Sequence, residues 1–123
     1  MTSAKTSKSL KEQILDFTDI PKVPMTIKEW GGLKVEVWGM SAKDRNSLIM
    51  GSSDKSGTPD PDKLYFRAVV ETVRDPKTGE RIFSRDDIAA LKEKNGKVLE
   101  RIAIKAYELC GIGGNADEDA EKN

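Results

Sequence analysis

The sequence has no histidine and a single cysteine. Without histidine it lacks the commonest general base and the commonest zinc ligand, which argues against an enzyme and against a metal site. One cysteine forms no internal disulfide and suits a reducing compartment. Cys110 ends an apolar helical stripe and reads as a small buried hydrophobe rather than a nucleophile. There is also no net charge, with 21 basic residues balancing 21 acidic ones. A nucleic-acid binder carries a basic excess that displaces counterions from phosphates, so no nucleic-acid partner is expected. No apolar run approaches the ~20 residues of a membrane span. The first residues, Met1–Lys8, lack the apolar block of a signal peptide. The expectation is a soluble, cytoplasmic protein that meets no membrane.

What is present suits one small domain: 123 residues, 37% apolar and 34% charged. Residues 1–8 and the acidic stretch 114–123 are too polar to join a core and are expected to be disordered, leaving a single domain over 9–113. Ser9 with Glu12 has the spacing of a capping box, and Leu10, Ile14 and Phe17 follow on one side of a short helix. Pro21 and Pro24 then straighten the chain.

Met25–Trp30 and Leu33–Met40 read as a hairpin joined by Gly31-Gly32, since two glycines supply the positive φ angles of a tight turn. Pairing Trp30 with Leu33 gives one apolar face of Trp30, Leu33, Val35 and Val37, and places Met25 opposite Trp38 on the other. Ser41 and Asp44 open a helix through about Met50. Residues 51–62 have the composition of a flexible loop. Lys63–Arg74 mixes helical spacing with β-branched chemistry and is expected to turn from helix to strand near Ala68. The turn Asp75–Gly79 would pair that strand with Arg81–Phe83.

The most strongly patterned stretch is Arg81–Gly111. Ser84 and Asp87 form another capping box before Ile88 and Leu91. Asn95-Gly96 interrupts, with glycine expected to end the short helix. Leu99, Ile102, Ala106 and Leu109 then recur at spacings of three and four, and Gly111 closes the helix. The fold class is therefore α+β: a small antiparallel sheet of hairpins, about 25–40 and 68–83, packed with short helices and a longer C-terminal amphipathic helix.

No chemistry survives inspection. Asp54-x-Ser56-x-Thr58-x-Asp60 resembles a calcium loop, but Pro59 stands at the position of the sharp-turn glycine and Tyr65 at that of the bidentate glutamate. Gly111-x-Gly113-Gly114 follows a helix, whereas a phosphate cradle lies between strand and helix. Asp86-Asp87 suits the dipole of a helix start. No catalytic, cofactor-binding or metal residue is assigned, and no cofactor is expected. Apolar residues beyond what a small sheet covers favour partner binding, with Met25, Trp38, Leu99, Ile102 and Leu109 as candidates.

The run Trp30-Gly31-Gly32-x-x-Val35-x-Val37-x-x-Met40-Ser41-x-x-Asp44-Arg45 resembles the hairpin-then-helix opening of tail assembly chaperones of long-tailed bacteriophages. Asp75-x-x-x-Gly79-x-Arg81-Ile82-Phe83-Ser84-x-x-Asp87-Ile88-x-x-Leu91-x-Glu93-Lys94 is similar to the second half of that family, as is the closing helix through Leu109-x-Gly111. The departures are Trp38, where a charged residue is expected, and the long loop at 51–62. The resemblance implies a non-enzymatic protein of the host cytoplasm, absent from the mature virion. Its partners would be the tape-measure protein, the tail-tube protein and other copies of itself. A frameshifted longer form is a further implication: Glu121-Lys122-Asn123 can be encoded with the slippery heptamer A-AAA-AAC, and Gly113-Gly114-Asn115 with another. The competing reading is a structural phage protein, such as a head–tail connector or minor tail component.

Overall fold

The computed structural model describes residues 8–113; the expected disorder of 1–8 and 114–123 lies, apart from Lys8, outside the described residues. Helix α1 spans Leu10–Asp16, strand β1 Lys22–Ile27, strand β2 Leu33–Trp38, helix α2 Ala42–Gly51 and helix α3 Pro61–Thr72. Strand β3 is Val73–Arg74, followed by the one-turn helix α4, Ile88–Leu91, and helix α5, Gly96–Cys110. The three strands form one antiparallel sheet in the order β1-β2-β3. With five α-helices beside this sheet among the described residues, the fold is α+β as the sequence indicated.

The first hairpin differs in register from the sequence expectation. Ile27, not Trp30, faces Leu33, and Lys28–Trp30 forms a 3₁₀ turn within a longer loop. The loop closes through Gly32 N–H to the Ile27 carbonyl at 3.0 Å, with Gly31 and Gly32 at φ 69° and 80°. A slip of three residues is odd, so it exchanges the faces of β1. The observed register puts Val23, Met25 and Ile27 on the side of Val35 and Val37. The expected one would have turned those three outward and buried Lys28 and Thr26 instead. The proposed Met25–Trp38 pair therefore does not exist: Met25 opposes Val35, and Trp38 opposes Lys22 on the outer face.

The second correction concerns residues 68–83. Helix continues through Thr72, and only Val73–Arg74 is strand, with Arg81 bridging Arg74. Asp60 caps α3 by accepting from the amides of Asp62 and Lys63, and Pro61 occupies the first turn, where its missing N–H costs nothing. Once α3 is started, burial of Ala68, Val69 and Val70 outweighs the β-propensity of the valines. Thr72 satisfies its buried hydroxyl on the Ala68 carbonyl at 2.7 Å.

Third, Asn95 begins α5 rather than ending α4: its side chain accepts from Lys97 N–H at 2.9 Å, and Gly96 is the first helical residue. Gly111, at φ 67°, closes the helix as expected, and Ile112 N–H reaches the Tyr107 carbonyl at 2.9 Å.

The stripe of α5, Val98, Leu99, Ile102, Ala103, Ala106 and Cys110, is buried against α3 and the inner face of the sheet. Ile27, Val35, Val37 and Leu48 complete the core. Helix α1 stands apart. Its capping box is formed, with Ser9 N–H on Glu12 at 3.0 Å and Glu12 N–H on Ser9 Oγ at 3.1 Å, yet none of its residues is buried.

Candidate interaction surfaces

Strand β3 pairs only with Glu36 and Val37, because Asp75-Pro76 turns the chain away. That turn is fixed locally: Asp75 accepts from Lys77 N–H at 2.8 Å, and Gly79, at φ 77°, donates to the Asp75 carbonyl at 2.7 Å. Among the described residues, the Leu33–Val35 half of β2 consequently has no strand partner on this side. An open groove of about 810 Å³ lies there. Its floor is Trp30, Val35, Phe83 and Leu91, its lips are the exposed Leu33 and Ile82, and Lys34, Lys77, Lys94 and Asp75 line the rim. Three lysines against one aspartate make the rim basic. Leu33 and Ile82 were not among the sequence candidates. The signal was available in the turn residues Asp75-Pro76, which shorten the pairing of β2.

The outer face of the sheet carries Trp38 in a tight setting. Lys22 Nζ lies 4.1 Å and the Arg74 guanidinium 4.5 Å from its ring centroid. The indole N–H donates to Glu36 at 2.8 Å, and the Gly79 turn closes against the ring edge. Arg74 donates onward to the Gly79 carbonyl at 3.0 Å. Trp38 thus ties all three strands to the Asp75–Gly79 turn and keeps only part of its surface in solvent.

The remaining candidates separate by burial. Leu99 and Ile102 are 2% and 0% exposed and belong to the core, while Met25 packs against the core half-buried. Leu109 is half-buried, near the Gly39 end of β2, and Ile104 is the exposed apolar residue of α5. The structure does not bring the five candidates together into one patch.

Polar groups with displaced titration have local explanations. Glu29 is held below the ordinary glutamate value by hydrogen bonds from Arg101, whose guanidinium lies 2.6 Å away. Asp54 is held low by Ser56 and Thr58, which also explains its place in the calcium-like stretch: the carboxylate organises its own loop. Burial pushes the Cys110 thiol up to about 11, so it is protonated and unreactive. Among the described residues, no three His, Cys, Asp or Glu are placed to hold a metal ion, and no helix is long and apolar enough to cross a membrane.

A family described as phage tail assembly chaperone matches residues 9–123. The fold is similar to the solved tail assembly chaperone of bacteriophage HK97, with a TM-score of 0.51 and 18% identity, over 82% of this chain and 98% of that one. No curated relative matches the chain.

Proposed function

Because the chain belongs to the phage tail assembly chaperones, we propose that it binds the tape-measure protein and keeps this long helical client soluble until tail-tube subunits polymerise around it. The observation that carries the reading is apolar surface left open on a folded domain. The groove, Ile104 and α1 all contribute such surface. Of the sequence candidates, Trp38 and Leu109 retain reachable surface and are proposed as client contacts. Met25, Leu99 and Ile102 support that surface from within.

The role needs no catalysis. It places the protein in the host cytoplasm, in contact with the client and then with the arriving tail-tube protein, and outside the finished virion. A longer frameshifted product fits the same role. Expression of the natural gene should then yield a second, larger species that disappears when synonymous codons break both heptamers.

Co-expression tests the central claim. The tape-measure protein should stay soluble and co-purify with the chaperone, and mass spectrometry of purified particles should not find the chaperone. An insoluble client with no complex, or the chain as a stoichiometric virion component, overturns the reading.

A further inference from the structure

Of the two cations on α3, Lys63 is exposed and Arg67 is half-buried. The Arg67 guanidinium lies against Gly51, the last residue of α2: a Cβ there would run into Nη1 and stand 3.1 Å from Cζ. Gly51 has no positive φ, so glycine serves here by the side chain it lacks. Arg67 Nε is buried and has no hydrogen-bond acceptor among the described residues. Arg85 belongs to the 3₁₀ turn Arg85–Asp87 that leads into α4. It lines the same recess of about 510 Å³, in which Phe66 and Ile88 supply apolar wall. Neither guanidinium forms an ion pair among the described residues. The nearby carboxylates are committed elsewhere: Asp60 to the amides of Asp62 and Lys63, Asp62 to Lys92 at 3.4 Å, and Glu71 to Arg81 at 2.6 Å. Burial first and the charge of Arg85 second pull Arg67 below the ordinary arginine value, and the attraction of Glu71 offsets them only in part. A guanidinium stays charged in such a setting. The repulsion is therefore one that an anion relieves.

We infer that Arg67 and Arg85 form a carboxylate-binding site that takes an acidic side chain. A guanidinium offers paired N–H donors that match the two oxygens of a carboxylate. Phe66 and Ile88 beside them suit the methylenes of a glutamate, which gain by leaving water and which an inorganic anion lacks. Two sources present that chemistry. One is this chain's own acidic stretch, with Asp117, Glu118, Asp119 and Glu121. Arg45, in the first turn of α2, holds the Gly111 carbonyl, and Gly51 closes that helix ~9 Å further along its axis. Asp117 stands four residues beyond Gly113, enough chain for ~13 Å. The other source is an acidic side chain of a partner protein. The site does not depend on the identity of the client.

The test follows the Nε–Hε signals of Arg67 and Arg85 by nuclear magnetic resonance of the full chain at constant ionic strength. The baseline chain carries Asp117→Asn, Glu118→Gln, Asp119→Asn and Glu121→Gln, which removes the internal carboxylates. Glutarate added to it should move both signals together and saturably, while glutaramide, its neutral analogue, should move neither. Arg85→Gln, at an exposed position, should weaken glutarate binding about tenfold, the loss of one hydrogen bond to a charged group. The wild-type chain then identifies the source. Weaker glutarate binding by wild type than by the baseline chain assigns the site to the chain's own carboxylates. Equal binding by the two chains assigns it to a partner's, and either result supports the site. Signals that glutarate leaves in place, that glutaramide moves equally, or whose response Arg85→Gln leaves unchanged overturn the inference.

Discussion

Arg45 closes the C-terminus of α5 from across the fold: its Nε donates to the Cys110 carbonyl at 2.7 Å and its Nη2 to the Gly111 carbonyl at 2.8 Å. The last carbonyls of a helix have no intrahelical partner, and a guanidinium satisfies two of them while meeting the negative end of the dipole. The contact also joins α2 to α5, elements 65 residues apart in sequence. Arg45→Ala should lower stability by about 1.5–3 kcal/mol, the range for hydrogen bonds to a charged group. Arg45→Lys should recover only part of the loss, since one ammonium does not reproduce the two-pronged geometry. Urea midpoints of the two variants check this.

Opposite faces of α5 give a second, internal comparison. Ile102 is 0% exposed and Ile104 is 55% exposed. Ile102→Ala removes packing from the middle of the core and should cost about 2–5 kcal/mol. Ile104→Ala should change stability by no more than about 0.5 kcal/mol. A matched pair of denaturation curves with equal losses would contradict the burial pattern of the helix.

Trp38 should prove a structural residue before it proves a client contact. Removing its ring breaks contacts with Lys22 and Arg74 and the hydrogen bond to Glu36. At a partly exposed site each cation contact contributes about 0.5–1 kcal/mol. Trp38→Ser should therefore destabilise the chain by about 1–2 kcal/mol without unfolding it. Client binding measured on the folded variant then reports the second role separately: an unchanged affinity would remove Trp38 from the client surface.

Trp38 also marks the boundary of what could be read from the residues. Local signals were legible because their partners lie within a few positions. Ser9 with Glu12, Ser84 with Asp87 and the left-handed Gly111 all stand where the spacing placed them. The α5 stripe was legible for the same reason, since 3.6-residue periodicity is a property of one segment. Register was not. Gly31-Gly32 satisfied the rule for a two-residue turn, but the competition was decided by which β1 residues, Val23, Met25 and Ile27 or Thr26 and Lys28, share a face with Val35 and Val37. Residues 68–72 failed in the same way, because the valines' β-propensity is local and their burial against α5 is not. The groove was hidden for a related reason: it is made by the shortness of β3, and its lips, Leu33 and Ile82, are far apart in sequence.

Acid should reveal the Glu29–Arg101 contact, which links the first hairpin to α5 across 72 positions. The carboxylate is depressed below its ordinary value of 4.5, first by the Arg101 hydrogen bonds. A depressed folded value means that the unfolded chain takes up the proton more readily. The contribution is then fully present above 4.5 and is lost as pH falls through the lower folded value. Both side chains are more than a third exposed, so the effect on stability is small and screened by salt. The direct observable is the Glu29 carboxyl in a carbon-detected titration. Its midpoint should lie below that of an ordinary glutamate, and rise toward it with added salt and in Arg101→Met. A midpoint that Arg101→Met leaves unchanged would mean that the contact does not hold the carboxylate in solution.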